Sequence, residues 1–243
     1  MKKFLMGSFL MLASCVMVSA QNSLLNDVKS AIGGKGNSGS SLSNEDIVSG
    51  LKQALTLGAQ KSADKLSAVD GFFKDAAVKI LLPPEAQKVE KTLRNMGMGK
   101  MVDDAILSLN RAAEDASKSA APIFVNAVKS MSIGDALGIL RGPDTAATSY
   151  LKKTTTPDLT RAFKPVIDSS LKKTDATRYW KDVFETYNKL PTTFKKVDTD
   201  LSSYATQKAM DGIFYYVAVE EKNIRKDPAA QVTDILKKVF GGK

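Results

Sequence analysis

Chemistry in this 243-residue chain would have to come from carboxylates, lysines, tyrosines or backbone groups, because it has no histidine and a single cysteine, Cys15. Those absences exclude nucleophiles activated by histidine, imidazole acid/base catalysis and zinc sites of the usual Cys/His kind. No intramolecular disulfide can form. Acids stand side by side at Asp103-Asp104, Glu114-Asp115 and Glu220-Glu221. Two carboxylates flanking a glycosidic bond are the minimal machinery of a glycosidase. Neighbours on a helix point about 100° apart, so a working dyad needs one acid from each of two helices meeting in a cleft. Glu114 and Glu220 are the candidate acids for that arrangement.

Other chemical motifs fail on context. Ser-x-x-Lys occurs at Ser49, Ser62, Ser149 and Ser170, but the Ser-Asp-Asn and Lys-Thr-Gly elements that accompany it in penicillin-recognising enzymes are missing. Gly34, Gly36 and Gly39 have the spacing of a dinucleotide fingerprint, yet no strand precedes them and no helix opens among them, as phosphate binding requires. There is no P-loop, and no acidic cluster has EF-hand spacing. The expected set of cofactors and metals is therefore none, and the balance tilts away from an enzyme.

The N-terminus carries an address. Lys2 and Lys3 precede an apolar run from Phe4 to Val18, and Val18-Ser19-Ala20 supplies small residues before Gln21. This pattern predicts a signal peptide over residues 1–20 and export to the periplasm. A competing reading takes Leu12-Ala13-Ser14-Cys15 as a lipobox, with Cys15 lipidated and the protein anchored to the envelope. The formal charge is +9, of which +7 (33 Lys and Arg against 26 Asp and Glu) lies beyond residue 20. In an exported chain such a charge meets lipid head groups and cell-wall polymers before nucleic acid. Nucleic acid is not an expected partner, and membrane contact is expected only through the lipid anchor.

The elements that must position these groups are helical. Residues 21–42 read as a short amphipathic helix followed by a flexible Gly/Ser linker, and residues 43–243 as a single helical domain. Ser43 with Asp46, and Ser132 with Asp135, have capping-box spacing. Val102, Ile106 and Leu109 define the apolar face of a helix over Met101–Ser119. Pro122 starts or kinks the next. Val78–Leu82 is apolar but has no second strand-like run to pair with, so it reads as an extended segment lining the core. Thr156-Pro157-Asp158 has the signature of a helix start, Pro165 predicts a bend, and further helices are expected over 175–190, 201–225 and 228–240. The Ile213–Val219 run is apolar all round and is expected to be buried.

Ser132–Leu151 draws the most attention. Gly134 and Gly138, four apart, each cost a helix about 1 kcal/mol relative to alanine, which predicts a neighbouring backbone lying in the notch they leave. Gly142 is the expected left-handed stop, and Asp144 the cap of the following helix. The predicted architecture is all-α: an irregular single-domain array of about nine helices around this short central hairpin.

The pattern Asn110-Arg111-Ala112-Ala113-Glu114, the Asp135-Ala136 to Gly142 hairpin, Ala146-Ala147-Thr148-x-Tyr150, Asp211-Gly212-Ile213-Phe214, and Glu220-Glu221 through Ile224-Arg225-x-Asp227-Pro228 closely resembles the exported bacterial proteins of domain-of-unknown-function family 4197. The resemblance spans about Asp46 to Gly241. It implies export in a Gram-negative bacterium and a helical domain, and it implies no activity and no functional residues. Taken together, these readings predict an exported helical protein of the cell envelope that binds an envelope partner or a small apolar or anionic ligand. The alternative is a carboxylate-dependent, glycan-active envelope hydrolase.

Overall fold

Every regular element among the described residues is helical. The computed structural model describes residues 43–173, 180, 181, 185, 188, 200–226 and 237, which lie in a compact unit spanning Leu42–Lys243. The expected signal peptide, Cys15, the 21–42 segment and the helices expected over 175–190 and 228–240 fall wholly or largely outside the described residues. Helix α1 (Asn44–Ser67) opens with the predicted box, Ser43 and Asp46 each accepting from the other's backbone N–H. A 3₁₀ turn at Pro84–Ala86 leads into α2 (Gln87–Asn95), which Gly97 ends at φ +80°. Then follow α3 (Gly99–Ser117), α4 (Ala120–Lys129, with Pro122 in its first turn), α5 (Ile133–Arg141), α6 (Ala146–Lys172) and α7 (Leu201–Lys226).

Helix α7 is the axis. It packs against α1, α3 and α6, and buries Ala205, Ala209, Ile213 and Val217 along one side. It runs antiparallel to α1. A Cβ on Gly58 would meet the Glu220 Cβ at 3.3 Å and Ile224 at 3.5 Å, while Lys61 lies 3.9 Å from Glu220 and Lys65 sits over the Tyr216 ring. On another face, a Cβ at Gly212 would come within 2.5 Å of the Phe72 ring. Glycine there lets a fully buried phenyl lie on the helix backbone. The 213–219 run is buried only in part, since Tyr215 is 47% exposed.

Two expectations need correction. The first is the count of about nine helices, too high for the described residues: Pro157, expected to start a helix, and Pro165, expected to bend one, both lie inside α6. A proline in a helix interior costs about 3 kcal/mol. Against two such costs stand Leu151, Leu159, Phe163, Ile167 and Leu171, all at most 1% exposed. Each fully buried side chain of that size contributes ~1.5–3 kcal/mol, so packing across the prolines wins.

The second is the hub. Helix α5 forms with its predicted capping box, but it buries only Ala136 and Ile139, and Ile133 is 52% exposed. Nothing lies within 4 Å of a Cβ built on Gly138, and only the capping Ser132 hydroxyl approaches Gly134. The notch is empty and the first arm of the hairpin is peripheral, while Ala147 and Leu151 of the second arm are fully buried. Gly142 is extended rather than left-handed (φ −79°, ψ 178°); a Cβ there would meet that of Ala146 at 2.7 Å, so tightness of the turn selects it. Gly138→Ala is expected to raise stability by about 0.5–1 kcal/mol, and Gly212→Ala to lower it by about 1–3 kcal/mol through overpacking against Phe72. Denaturant titration at constant slope reads both, and a destabilised Gly138→Ala would restore the packed hub.

Candidate functional site

Between α1 and α2 the chain crosses the domain without regular structure, and side chains from α3 and α7 hold its backbone in place. Asn110 accepts from the Ile80 N–H at 2.8 Å and donates to the Ile80 carbonyl at 2.8 Å. One amide thus supplies what a neighbouring strand would; of the 78–82 run expected to line the core, Val78 and Ile80 are buried, while Val78 sits in a turn closed on the Asp75 carbonyl and Leu81 is 56% exposed. One turn along α3, Glu114 Oε1 accepts from the N–H groups of Phe72 (3.1 Å) and Phe73 (3.2 Å). Its Oε2 takes Arg111 Nη1 at 2.6 Å, and Arg111 Nη2 reaches Asp70 at 2.7 Å. Asp70 has φ 69°, a left-handed conformation at the corner where the chain turns under α3.

The second candidate acid, Glu220, lies elsewhere. It is partly exposed at the α1–α7 contact with Lys61 as its ion-pair partner, and no hydrogen bond or ion pair among the described residues joins it to Glu114. Its neighbour Glu221 is the buried member of that pair, 4% exposed. One oxygen of Glu221 accepts from the Ala147 N–H at 2.9 Å and from the Arg225 guanidinium at 2.9 Å; the other accepts from the Thr148 N–H and hydroxyl, both at 2.8 Å. This carboxylate is the N-terminal cap of α6, delivered from another helix. Arg225 in turn donates to the Ile139 carbonyl in the last turn of α5 at 2.9 Å. Asp144, expected to cap α6, instead pairs with Lys226 at 2.5 Å. The i, i+4 spacing of Glu221 and Arg225 is visible in the sequence; their reach to residues 139–148 is not.

Lysine, tyrosine and carboxylate do converge once. The Tyr216 hydroxyl donates to Asp75, and Lys65 lies 3.2 Å from the same carboxylate. Burial pushes the Asp75 carboxyl up, but the Tyr216 hydroxyl, the Ala77 N–H and Lys65 outweigh it and hold it below the usual carboxylate range. The Tyr216 hydroxyl raises the Lys65 ammonium, and burial raises Tyr216 itself. At neutral pH the acid is ionised, the amine protonated and the phenol neutral. None of the three is poised near the working pH, as a general acid or base should be.

A different kind of site lies between α4 and α6, an open trough of about 700 Å³. Ile123, Ala127 and Ala162 line it with apolar surface, and Asn126, Ser130 and Thr154 with polar groups. Asp158 and Arg161, paired at 2.9 Å, complete it on α6. Tyr150 lines it beside the N-terminus of α5, burial and the charge of Asp135 raising its hydroxyl pKa. The trough was not foreseen, because its residues are spread over two helices with no motif among them. Among the described residues, no group of three or more acidic or cysteine side chains is placed to hold a metal ion. No single described helix is long and apolar enough to cross a membrane.

The model of the family described as "Protein of unknown function (DUF4197)" matches residues 41–241. The chain belongs to this family. Neither the curated proteins nor the solved structures contain a match. In this DUF4197 chain the residues that carry the family likeness hold the fold: Asn110 and Glu114 pin the 70–82 segment, Gly212 admits Phe72, and Glu221 with Arg225 closes the α5–α6 turn. Asp227-Pro228 lies outside the described residues.

Glu221→Gln is expected to cost about 2–4 kcal/mol, since it weakens the cap and leaves Arg225 without its counter-charge. Amide hydrogen exchange should accelerate at Ala147 and Thr148 before the middle of α1. A second outcome concerns Tyr204, whose hydroxyl donates to the Leu81 carbonyl at 2.8 Å and is pushed up to about 12 by burial. The unfolded phenol loses its proton near pH 10, so this group's contribution is complete below pH 10 and fades as pH rises towards 12. An alkaline unfolding series should show that loss in the native chain, and Tyr204→Phe should flatten it.

Proposed function

We propose that this DUF4197 protein is an exported cell-envelope protein whose helical domain binds a partner or a small ligand, rather than turning over a substrate. The trough between α4 and α6 carries the reading. Its volume lies within the ~300–1,000 Å³ typical of ligand pockets, and it combines apolar surface with a few polar groups on rigid helices. The carboxylates give the complementary argument. A glycosidase needs two acids facing one bond with room for sugar between them, whereas both oxygens of Glu114 are taken by backbone N–H groups and Arg111, and those of Glu221 by α6 and Arg225. Glu220 without Glu114 is a single partly exposed acid beside a lysine.

Export rests on the N-terminal pattern read above, with cleavage after Ala20 releasing a periplasmic chain. Intact and native mass spectrometry of the protein isolated from its own envelope fraction tests both parts. The expected intact mass is that of a chain starting at Gln21; a mass starting at Cys15 and carrying acyl groups would make it an anchored lipoprotein. The native spectrum should hold a copurified molecule released on denaturation. A clean apo mass, together with turnover of an envelope glycan that Glu114→Gln abolishes, would replace the binding reading with the hydrolase.

A further inference from the structure

We infer that the α4–α6 trough takes an uncharged, hydroxyl-rich ring: a saccharide unit of an envelope glycan. The inference rests on the binding reading above and narrows it by chemistry. Charge comes first. Asp158 and Arg161 neutralise each other at 2.9 Å, and tyrosine apart no other ionisable side chain lines the trough. A chain of formal charge +9 therefore has a concavity without net charge. An anion entering it would meet the Asp158 carboxylate and a cation the Arg161 guanidinium, each at the cost of loosening the pair.

The polar groups then select among neutral ligands. The Asn126 amide, the Ser130 hydroxyl and the Tyr150 hydroxyl have no partner among the described residues, and each offers both a donor and an acceptor or, for the amide, two donors and an acceptor. Thr154 donates to the Tyr150 carbonyl at 2.9 Å, which leaves its oxygen as an acceptor. Asp158 adds acceptors and Arg161 donors. A wholly apolar ligand would strand these groups, and unpaired polar groups in a covered site are costly. Vicinal ring hydroxyls, each a donor and an acceptor at once, match the mixture. The C–H face of a pyranose supplies the apolar complement for Ala127, Ala162 and the Tyr150 ring. The trough is open along one side, as a unit within a longer glycan requires.

The test is amide NMR of the full chain titrated with three probes: a neutral N-acetylglucosamine trisaccharide, its sulfated counterpart, and an amphipathic helical peptide. The neutral trisaccharide is expected to shift Ala127, Ser130, Thr154 and Ala162. Tyr150→Ala should weaken it about tenfold, and Asn126→Ala or Arg161→Ala, both at exposed positions that leave folding intact, about three- to tenfold with an unchanged melting temperature. If the sulfated probe binds these residues more tightly, the neutral-saccharide assignment is overturned. Should only the peptide shift them, the assignment falls and the binding reading stands. Silence of the trough towards all three removes both.

Discussion

Glu221 is the interaction on which the arrangement of the second half of the domain depends. A helix starts with N–H groups that have no partner within it, and α6 starts with no side-chain cap of its own. Glu221 supplies the cap across 74 residues of sequence, and its charge suits the positive end of the helix. Arg225 answers that charge and grips the other end of the turn through the Ile139 carbonyl. Against an apolar replacement such a buried pair is near neutral, but losing one partner costs about 3–5 kcal/mol. Its value is therefore geometric. Helix α5 buries two side chains only, too little apolar surface to fix its angle, and the charged pair fixes it instead.

The first half applies the same device to an irregular segment. Backbone groups of residues 70–82 that no helix or sheet can satisfy are met by Asn110, Glu114 and Tyr204. Each would cost about 1–3 kcal/mol if left bare in the interior. Glu114, one of the two acids that looked like possible chemistry, is consumed in this work, and the relation is causal. A carboxylate accepting two backbone N–H groups and a guanidinium has little lone-pair capacity left with which to take a proton from substrate.

Local signals in the sequence were legible, and they were right where both partners lie within a few residues. The boxes at Ser43–Asp46 and Ser132–Asp135 formed as written. The failures share a cause. Gly134 and Gly138 suggested a packed notch because a glycine pair costs helix stability, but that cost says nothing about whether a neighbour fills the gap; at Gly212 the same logic holds, with Phe72 as the neighbour. Pro157 and Pro165 suggested breaks because local propensity was weighed without the five buried side chains that flank them. Asp144 was the nearest acid to the start of α6, and the acid that caps it comes from α7. Expected export and the competing lipid anchor are readings of sequence pattern alone, since residues 1–42 lie outside the described ones. Glu114 was singled out as a candidate catalytic acid, and its hydrogen bonds hold the backbone of Phe72 and Phe73; residue type and position in a sequence do not separate those two roles.

What remains for function is a matter of lengths. Helix α4 has ten residues and α6 twenty-seven, so at 1.5 Å per residue they span about 15 Å and 40 Å. A short helix laid on a long one leaves a step, and the alanines at 127 and 162 deepen it. Thr154, Asp158 and Arg161 on the uncovered side of α6 are content in water, so the trough stands open without a ligand to prop it. With walls supplied by two helices, a ligand of the kind proposed would have side chains rather than backbone to order on arrival. Pre-organisation of that kind is what turns modest contacts into useful affinity. It is also what distinguishes this concavity from the Lys65–Asp75–Tyr216 cluster, whose groups are already satisfied by one another.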